Sequence, residues 1–535
     1  MIENKIGVFW DILFKRDIFE SKQLMREIVR VKLTKKYLDN NTKVRKLSDQ
    51  EFLYKAMTEA TEEILGYFPG NRELFYSLYN TGNDIDLVEF IKSLNKSNKD
   101  GKMLLPRYIM DLIIEESRKL DYNNVFVAEA EKFIDGLKEL IDNKPGSTFT
   151  LSTQDIVLYY ALSLIFDGYE NISIISNDIY REIEDFSKQD LILTIPDLGM
   201  KYAKSKFIST DSTGIAIENL LNLLNENGNL FSIVPAKFTF ESTSNMEDLR
   251  NWITKNFSIP IIYTLPEGAF RPHTSIKTHL LHFSKRKIKP VEIANLILEN
   301  GKYRLSNQVD VTIDDLAASN QWRTELFLTN NYKSISQYKT LLVSKIKIKE
   351  LGEVFRGKSI MKGDIQPGPF SVLNISNIDD GEINLNNMDT INEEERKLQK
   401  YLLKPGDIVI TCRGTVNKIA VYKSPAKNII PSANIIVIRV KSKDIKSDYV
   451  KIFLESPVGR TLVESIQRGT TIMNINPKDV GEIEIPLLPL KTQKEIISEY
   501  NNEFLLYLES INEANKRWFS MRDQIYNRLL FQEES

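Results

Sequence analysis

Over the first 145 residues apolar positions recur at helical spacing. Asp49–Leu65 (DQEFLYKAMTEATEEIL) and Leu105–Leu120 repeat apolar side chains about every three to four positions, which lines them up on one helix face. Breaks rich in Asn, Gly and Asp, such as NTGND at 80–84 and NKSNKDGK at 95–102, separate these segments. The pattern predicts a helical domain over 1–145. From 146 to about 290 the rhythm changes. Short apolar runs (ISIIS, LILTI, LFSIVP, IPIIYTL, HLLHF) alternate with helical stretches such as Thr213–Glu226, as expected of an α/β domain around a largely buried sheet. Residues 291–340 are less patterned and read as a transition. From Leu351 to Pro489 short strands dominate, punctuated by Gly and Pro, and from Thr492 one long helical pattern runs out. The expected fold class is multidomain α/β: a helical domain over 1–145, an α/β domain over 146–335, an α+β domain over 340–491 and an amphipathic helix over 492–535.

Composition narrows the class of protein. A chain of 535 residues is too long for one core and calls for about three domains. With 42% hydrophobic and 27% charged residues it reads as globular, not disordered. The single cysteine, Cys412, excludes a disulfide framework and a cysteine-rich zinc site, and fits a reducing cytoplasm. The start, MIENKIGVFWDILFKRD, lacks a basic then apolar leader, and no stretch is apolar enough to span a membrane. A cytoplasmic location without membrane contact is expected.

A net charge of −2 announces no polyanionic partner, but the charge is unevenly spread. Ile408–Lys443 holds seven basic residues and no acidic one, and Lys404–Asp479 holds 13 basic against 6 acidic, a local net of +7. Such a patch is the electrostatic footprint of phosphate contact. Arg413, Thr415 and Lys418 follow the run DIVIT, and Arg468, Thr470, Thr471, Asn474 and Asn476 lie on a second polar loop. Lys358, Lys423 and Arg439 complete the candidate DNA-binding set. Arg suits guanine edges and Asn adenine edges because their planar groups make bidentate bonds there. Thr415 and Asn474 are equally at home as turn residues.

Two other matches point elsewhere. Gly352–Ser359 (GEVFRGKS) fits the G-x-x-x-x-G-K-[ST] phosphate-loop pattern, the basis for a third reading as an NTP-dependent enzyme. A phosphate loop leaves a buried strand and enters a helix, whereas here alternating lysines precede it and MKGDIQPGPF follows, so the match reads as chance. His273, His279 and His282 lie close together on a strand and its entry loop. No cysteine is near, so structural roles are expected and no metal site.

In the middle of the chain GSTFTLSTQDIVLYYALSLI (146–165), SKQDLILTIPDLGMK (187–201), ENGNLFSIVPAKFTF (226–240) and IIYTLPEGAFRPHTSIKTHLLHF (261–283) follow in order. Together they resemble the modification subunit of type I restriction–modification systems, an adenine-N6 DNA methyltransferase family. In the last stretch Leu265, Pro266, Gly268, Phe270, Thr274 and Lys277 keep the family spacing. The resemblance implies a Rossmann-like domain, with departures. The family seats S-adenosylmethionine on a glycine-rich turn, where a Cβ would clash. Here only Gly168 lies between Gly146 and Gly199, and the strand–helix units that should carry the donor are expected to be absent. The family's catalytic Asn-Pro-Pro-aromatic is matched by Ile195, Pro196, Asp197 and Leu198. Ile195 has no acceptor for the target amine and Leu198 no face on which a flipped base would stack. The resemblance with these losses implies a degenerate domain without catalytic residues or bound S-adenosylmethionine, serving as DNA clamp or partner dock. The runner-up is a methyltransferase subunit active only beside a homologous catalytic partner.

The last third resembles one target-recognition half of a type I specificity subunit, through LGEVFRGKS (351–359), YLLKPGDIVITCRGTVNKIAVY (401–422), PSANIIVIRV (431–440) and IQRGTTIMNINPKDVGEIEIPLLPLKTQKEI (466–496). It implies sequence-specific binding of double-stranded DNA in a restriction, modification or phage-defence type of system, beside a methyltransferase, nuclease or helicase partner. From Thr492, apolar Ile496, Ile497, Tyr500, Phe504, Leu508, Ile511, Trp518, Met521 and Ile525 form one stripe. In specificity subunits that helix separates two recognition halves; a single half implies a homodimer or a partner subunit held through the helix.

Overall fold

The computed structural model describes residues 2–41, 48–96, 103–183, 186–202, 206–241, 243–319, 322–328, 338, 341–379, 381–413, 418–424, 428–466 and 474–530. The chain divides into two compact units, Met1–Leu328 and Thr329–Ser535. Among the described residues no helix is long and apolar enough to cross a membrane.

The first unit opens with helices, as the spacing predicts. Gln50–Leu65 begins where the Asp49 side chain accepts the amides of Glu51 and Phe52 at 3.0 and 3.2 Å. It ends at Gly66, whose φ of 74° suits a residue without a Cβ. Arg107–Arg118 fills the second predicted segment.

A nine-stranded sheet follows, of strands β1 (Asn124–Val127), β2 (Thr148–Thr153), β3 (Ile172–Ser176), β4 (Gln189–Thr194), β5 (Leu224–Pro235), β6 (Ser258–Thr264), β7 (Thr278–Ser284), β8 (Val291–Glu299) and β9 (Lys302–Val311). Their order is β3-β2-β1-β4-β5-β7-β6-β8-β9. β1 to β5 are mutually parallel, and β7 runs antiparallel between β5 and β6. This is a doubly wound, mixed sheet of the methyltransferase type.

Two expectations change here. The strand–helix units thought to be absent are present: β1 lies inside the segment read as helical and pairs with both β2 and β4. Its four residues, NVFV, are too few to register as a period. The apparent transition after 290 is the β8–β9 hairpin. Its turn is Asn300-Gly301, both at positive φ (52° and 76°), as a two-residue hairpin turn requires.

The second unit holds β10 (Lys345–Lys347), β11 (Gly352–Arg356), β12 (Ile365–Leu373), β13 (Ile378–Asp379), β14 (Glu382–Ile383), β15 (Asp389–Ile391), β16 (Ile408–Thr411), β17 (Ile419–Val421), β18 (Ile429–Pro431), β19 (Ile435–Val440) and β20 (Glu484–Pro486). The central sheet is antiparallel, in the order β11-β19-β16-β17. Alternation along its strands builds two cores. Ile408, Ile410, Ile436 and Ile438 pack with Tyr449, Val450 and Leu454 of helix Ser447–Glu455, while Val409, Ala420 and Val437 pack on the other face with Leu373 and Tyr422. Helix Leu490–Leu530 closes the unit, 41 residues long. Buried Gln493 fixes its root, donating to the carbonyls of Asp444 (2.9 Å) and Leu488 (2.7 Å) and accepting the Lys446 amide at 2.9 Å. Farther along, Leu505, Leu506, Tyr507, Trp518, Phe519, Tyr526 and Leu529 are exposed.

Candidate nucleic-acid interface

In the second unit the two polar segments that the sequence points to spring from one place. Arg413 and Asn474 form an antiparallel bridge, and the Ile475 amide donates to the Cys412 carbonyl at 3.0 Å. Arg413 and Asn474, the described residues next to segments 414–417 and 467–473, therefore meet at the end of β16. The other end of the first segment is held there too: the Lys418 amide donates to Thr411 Oγ1 at 2.8 Å. Thr415, Arg468, Thr470 and Thr471 lie outside the described residues. Arg413 is exposed, and its side chain has no hydrogen bond or ion pair among the described residues.

The remaining candidates have partners. Lys418 donates to the Ile378 carbonyl (2.7 Å) and Asp379 (3.2 Å), and Lys423 pairs with Asp448 at 3.3 Å. Lys358 sits 3.2 Å from Glu393, and together with the Glu394 amide and Lys397 it holds that carboxyl down at about 2. Arg439 makes a two-pronged pair with buried Asp407 (3.0 and 2.7 Å) and donates to the Leu402 carbonyl at 2.7 Å, with 11% of its side chain exposed. Lys441 pairs with Glu353. The run from Ile408 to Lys443 is acid-free only along the chain: Asp379, Asp448 and Glu353 reach it from other elements, and Asp407 stands just ahead of it. Asn476 is a helix cap, accepting the Lys478 amide at 3.0 Å ahead of Pro477–Gly481.

Sequence reasoning missed Arg356. Its guanidinium donates to Asn474 Oδ1 at 3.0 Å, to the Ala433 carbonyl at 3.2 Å and to the Ile475 carbonyl, so it holds the root of both segments. The signal was masked because Arg356 falls inside the phosphate-loop match. That stretch makes no phosphate loop: Gly352–Arg356 is β11, paired with β19. Gly357 is needed for a different reason. A Cβ there would sit 2.3 Å from the carbonyl oxygens of Pro431 and Ser432, past which the backbone runs.

In the first unit the strand order reverses between β1 and β4, where open α/β sheets place ligands beyond the strands' carboxyl ends. Both candidate loops are there, 128–136 after β1 and 195–199 after β4. Between them lies Lys132, with 2% of its side chain exposed. Its ammonium donates to Glu129 Oε2 (2.9 Å), the Ile195 carbonyl (2.8 Å) and Asp197 Oδ1 (2.8 Å). Burial pushes the Glu129 carboxyl up, opposed by Lys132. Pro196 separates Ile195, fully buried, from Asp197, whose side chain is 40% exposed, and Leu198 follows, half-buried. His279 and His282 lie buried in β7; His282 is 3.0 Å from Asn229 Oδ1 and stacks on Phe231. Among the described residues no cluster of His, Cys, Asp and Glu is placed to hold a metal ion.

Residues 342–502 match the type I restriction modification DNA specificity domain family. Two curated relatives are specificity subunits of type I restriction enzymes. The MjaX subunit of Methanocaldococcus jannaschii is 22% identical over 35% of this chain and 46% of its own length. The EcoBI subunit of Escherichia coli is 25% identical over 28% of this chain and 32% of its own. The matches thus span less than half of either relative. Among solved structures, the type I restriction–modification methyltransferase subunit of Streptococcus thermophilus is 12% identical, with a TM-score of 0.42, covering 62% of this chain and 93% of that one.

Proposed function

We propose that the protein binds double-stranded DNA at a specific sequence, as a component of a restriction–modification or phage-defence type of system in the cytoplasm, and that residues 340–491 are the seat of binding. One observation carries this reading. Arg413, exposed and unpaired among the described residues, stands at the common root of two polar segments in the region that matches the DNA specificity domain family. An Arg presented this way is free to make the bidentate contact that distinguishes guanine. The partnered cations Lys358, Lys418 and Lys423 are half-buried or exposed and remain near enough to solvent for phosphate contact, while Arg439 belongs to the scaffold. The test is duplex binding over a range of salt. Specific duplex is expected to outbind random duplex at every salt concentration; equal affinity throughout would refute the reading, since phosphate contact alone carries no sequence information.

The first unit, in this reading, transfers no methyl group and acts as clamp or dock. What supports this is Ile195, which offers no side-chain acceptor, and Asp197, whose carboxylate is already spent on Lys132. Two copies of the chain pair through helix Leu490–Leu530. Supporting the pairing are its exposed apolar residues and its charge: beyond Lys491 and Lys494 at the root, the stretch 495–513 carries Glu495, Glu499, Glu503, Glu509 and Glu513 and no cation, while Lys516, Arg517, Arg522 and Arg528 follow against Asp523 alone. An antiparallel pair sets each acidic half against a basic one.

A further inference from the structure

We infer that Lys132 is an internal ligand: its ammonium fills the crevice at which a sheet of this topology would receive a bound molecule, and it locks the loops after β1 and β4 together. The inference deepens the reading of the first unit as non-catalytic and rests on it. An ammonium has three N–H donors, and all three are used, on Glu129, Ile195 and Asp197. Only such saturation makes a buried cation tolerable, because an unpaired one pays its full desolvation cost.

The lock extends beyond these four residues. The Glu129 amide approaches Ser152 Oγ, at the end of β2, to 3.4 Å. The Tyr180 hydroxyl, from the loop after β3, donates to Glu129 Oε2 at 3.3 Å and accepts the Asp197 amide at 2.6 Å. Ser212 Oγ donates to the Asp197 carbonyl at 2.6 Å. The carboxyl ends of the four neighbouring strands β3, β2, β1 and β4 are thus stitched by one polar network, and the Asp197 peptide is held at its amide, carbonyl and carboxylate.

S-adenosylmethionine does not fit these residues. The one glycine of the loop, Gly136, lies at its far end packed against Met110, so positions 128–135 carry side chains where the donor needs bare backbone. The carboxylates at the ends of β1 and β4, Glu129 and Asp197, are moreover already bound to Lys132 at 2.9 and 2.8 Å, so both are engaged within the chain and not turned to a donor.

Hydrogen exchange on the full chain, with calorimetric titration of S-adenosylmethionine, tests the inference. Lys132→Met keeps the length of the side chain and removes the charge. It is expected to speed amide exchange over 195–202 by about a hundredfold, as the loss of one partner from a buried pair does, and to leave helix Ser447–Glu455 unchanged. Should that variant fail to fold, Asp197→Asn is the second probe; it removes a half-exposed charge and is expected to speed the same amides by about tenfold. Unchanged exchange over 195–202 in the folded variants, with no donor bound by the wild type, would overturn the internal ligand alone. Stoichiometric donor binding by the wild-type chain would overturn the non-catalytic reading and the lock with it.

Discussion

Arg413 and Asn474 pair across an isolated antiparallel bridge, and Arg356 reaches the same Asn474 with its guanidinium at 3.0 Å. Two stretches distant in sequence therefore share one anchor. The anchor is built from backbone and from the Arg356 side chain, and the exposed Arg413 side chain takes no part in it among the described residues.

Replacing Arg413 or Arg468 by Ala is expected to lower affinity for the specific duplex at least tenfold each, since a good bidentate base contact is worth about 1–3 kcal/mol. The same change at Lys92 or Lys96, on the N-terminal helices, is expected to have little effect. Competition binding against random duplex checks the assignment. A loss of equal size on random DNA would demote Arg413 to a phosphate contact.

Asp407→Ala separates scaffold from reader within the same basic run. It removes the two-pronged partner of the Arg439 guanidinium and leaves it the Leu402 carbonyl and a looser contact with Glu353 at 4.0 Å. Removing one partner of a buried pair costs about 3–5 kcal/mol. Urea denaturation is expected to show a loss of that order, while the variant's DNA sequence preference stays that of the wild type. A change of preference without loss of stability would place Arg439 on DNA.

How much of this was legible in the sequence depended on whether the cause was local. The helix at Gln50–Leu65, the strands β4 to β7 and the terminal helix all follow from periodicity. The β8–β9 hairpin was missed: ENGK carries the Asn-Gly turn signal, but the alternation around it was too weak to mark the two strands. β1 was not legible: four residues between helical stretches carry no period, and its identity comes from being flanked by β2 and β4. Nor could sequence expose the pairings of Lys418, Lys423 and Arg439, whose acidic partners lie on distant elements. Lys132 reads along the chain as an ordinary solvated lysine; only the fold brings Ile195 and Asp197 to it.

Acid stability of the first unit should depend on β7. Burial depresses His279 to about 4 and His282 to about 3, from an ordinary 6.5. A lowered folded-state value means that the unfolded chain takes up the proton first. The stability that these neutral rings contribute is present above pH 6.5 and drains away as pH falls from 6.5 towards 3–4. At pH 5 each should cost about 2 kcal/mol. Chemical denaturation at pH 7.5 and pH 5 is expected to show that loss, and His282→Asn to remove about half of it. A pH-independent midpoint would mean that the rings are solvated.

The terminal helix gives the last test. At about 1.5 Å per residue its 41 residues span roughly 60 Å, and burying a Leu- or Ile-sized side chain is worth about 1.5–3 kcal/mol. Leaving Leu505, Ile511, Trp518 and Ile525 in water is costly enough to favour a second copy. Antiparallel pairing by two-fold symmetry makes the DNA target an interrupted palindrome. Light scattering is expected to show a dimer that truncation before Leu490 abolishes. Reversing Glu499, Glu503 and Glu509 to Lys should weaken self-association, because like charges then face each other. Mixing that variant with one carrying Glu at Lys516, Arg517 and Arg522 should restore a heterodimer. A dimer unaffected by either reversal would exclude the antiparallel register, and a monomer on a single unsplit site would exclude self-pairing altogether.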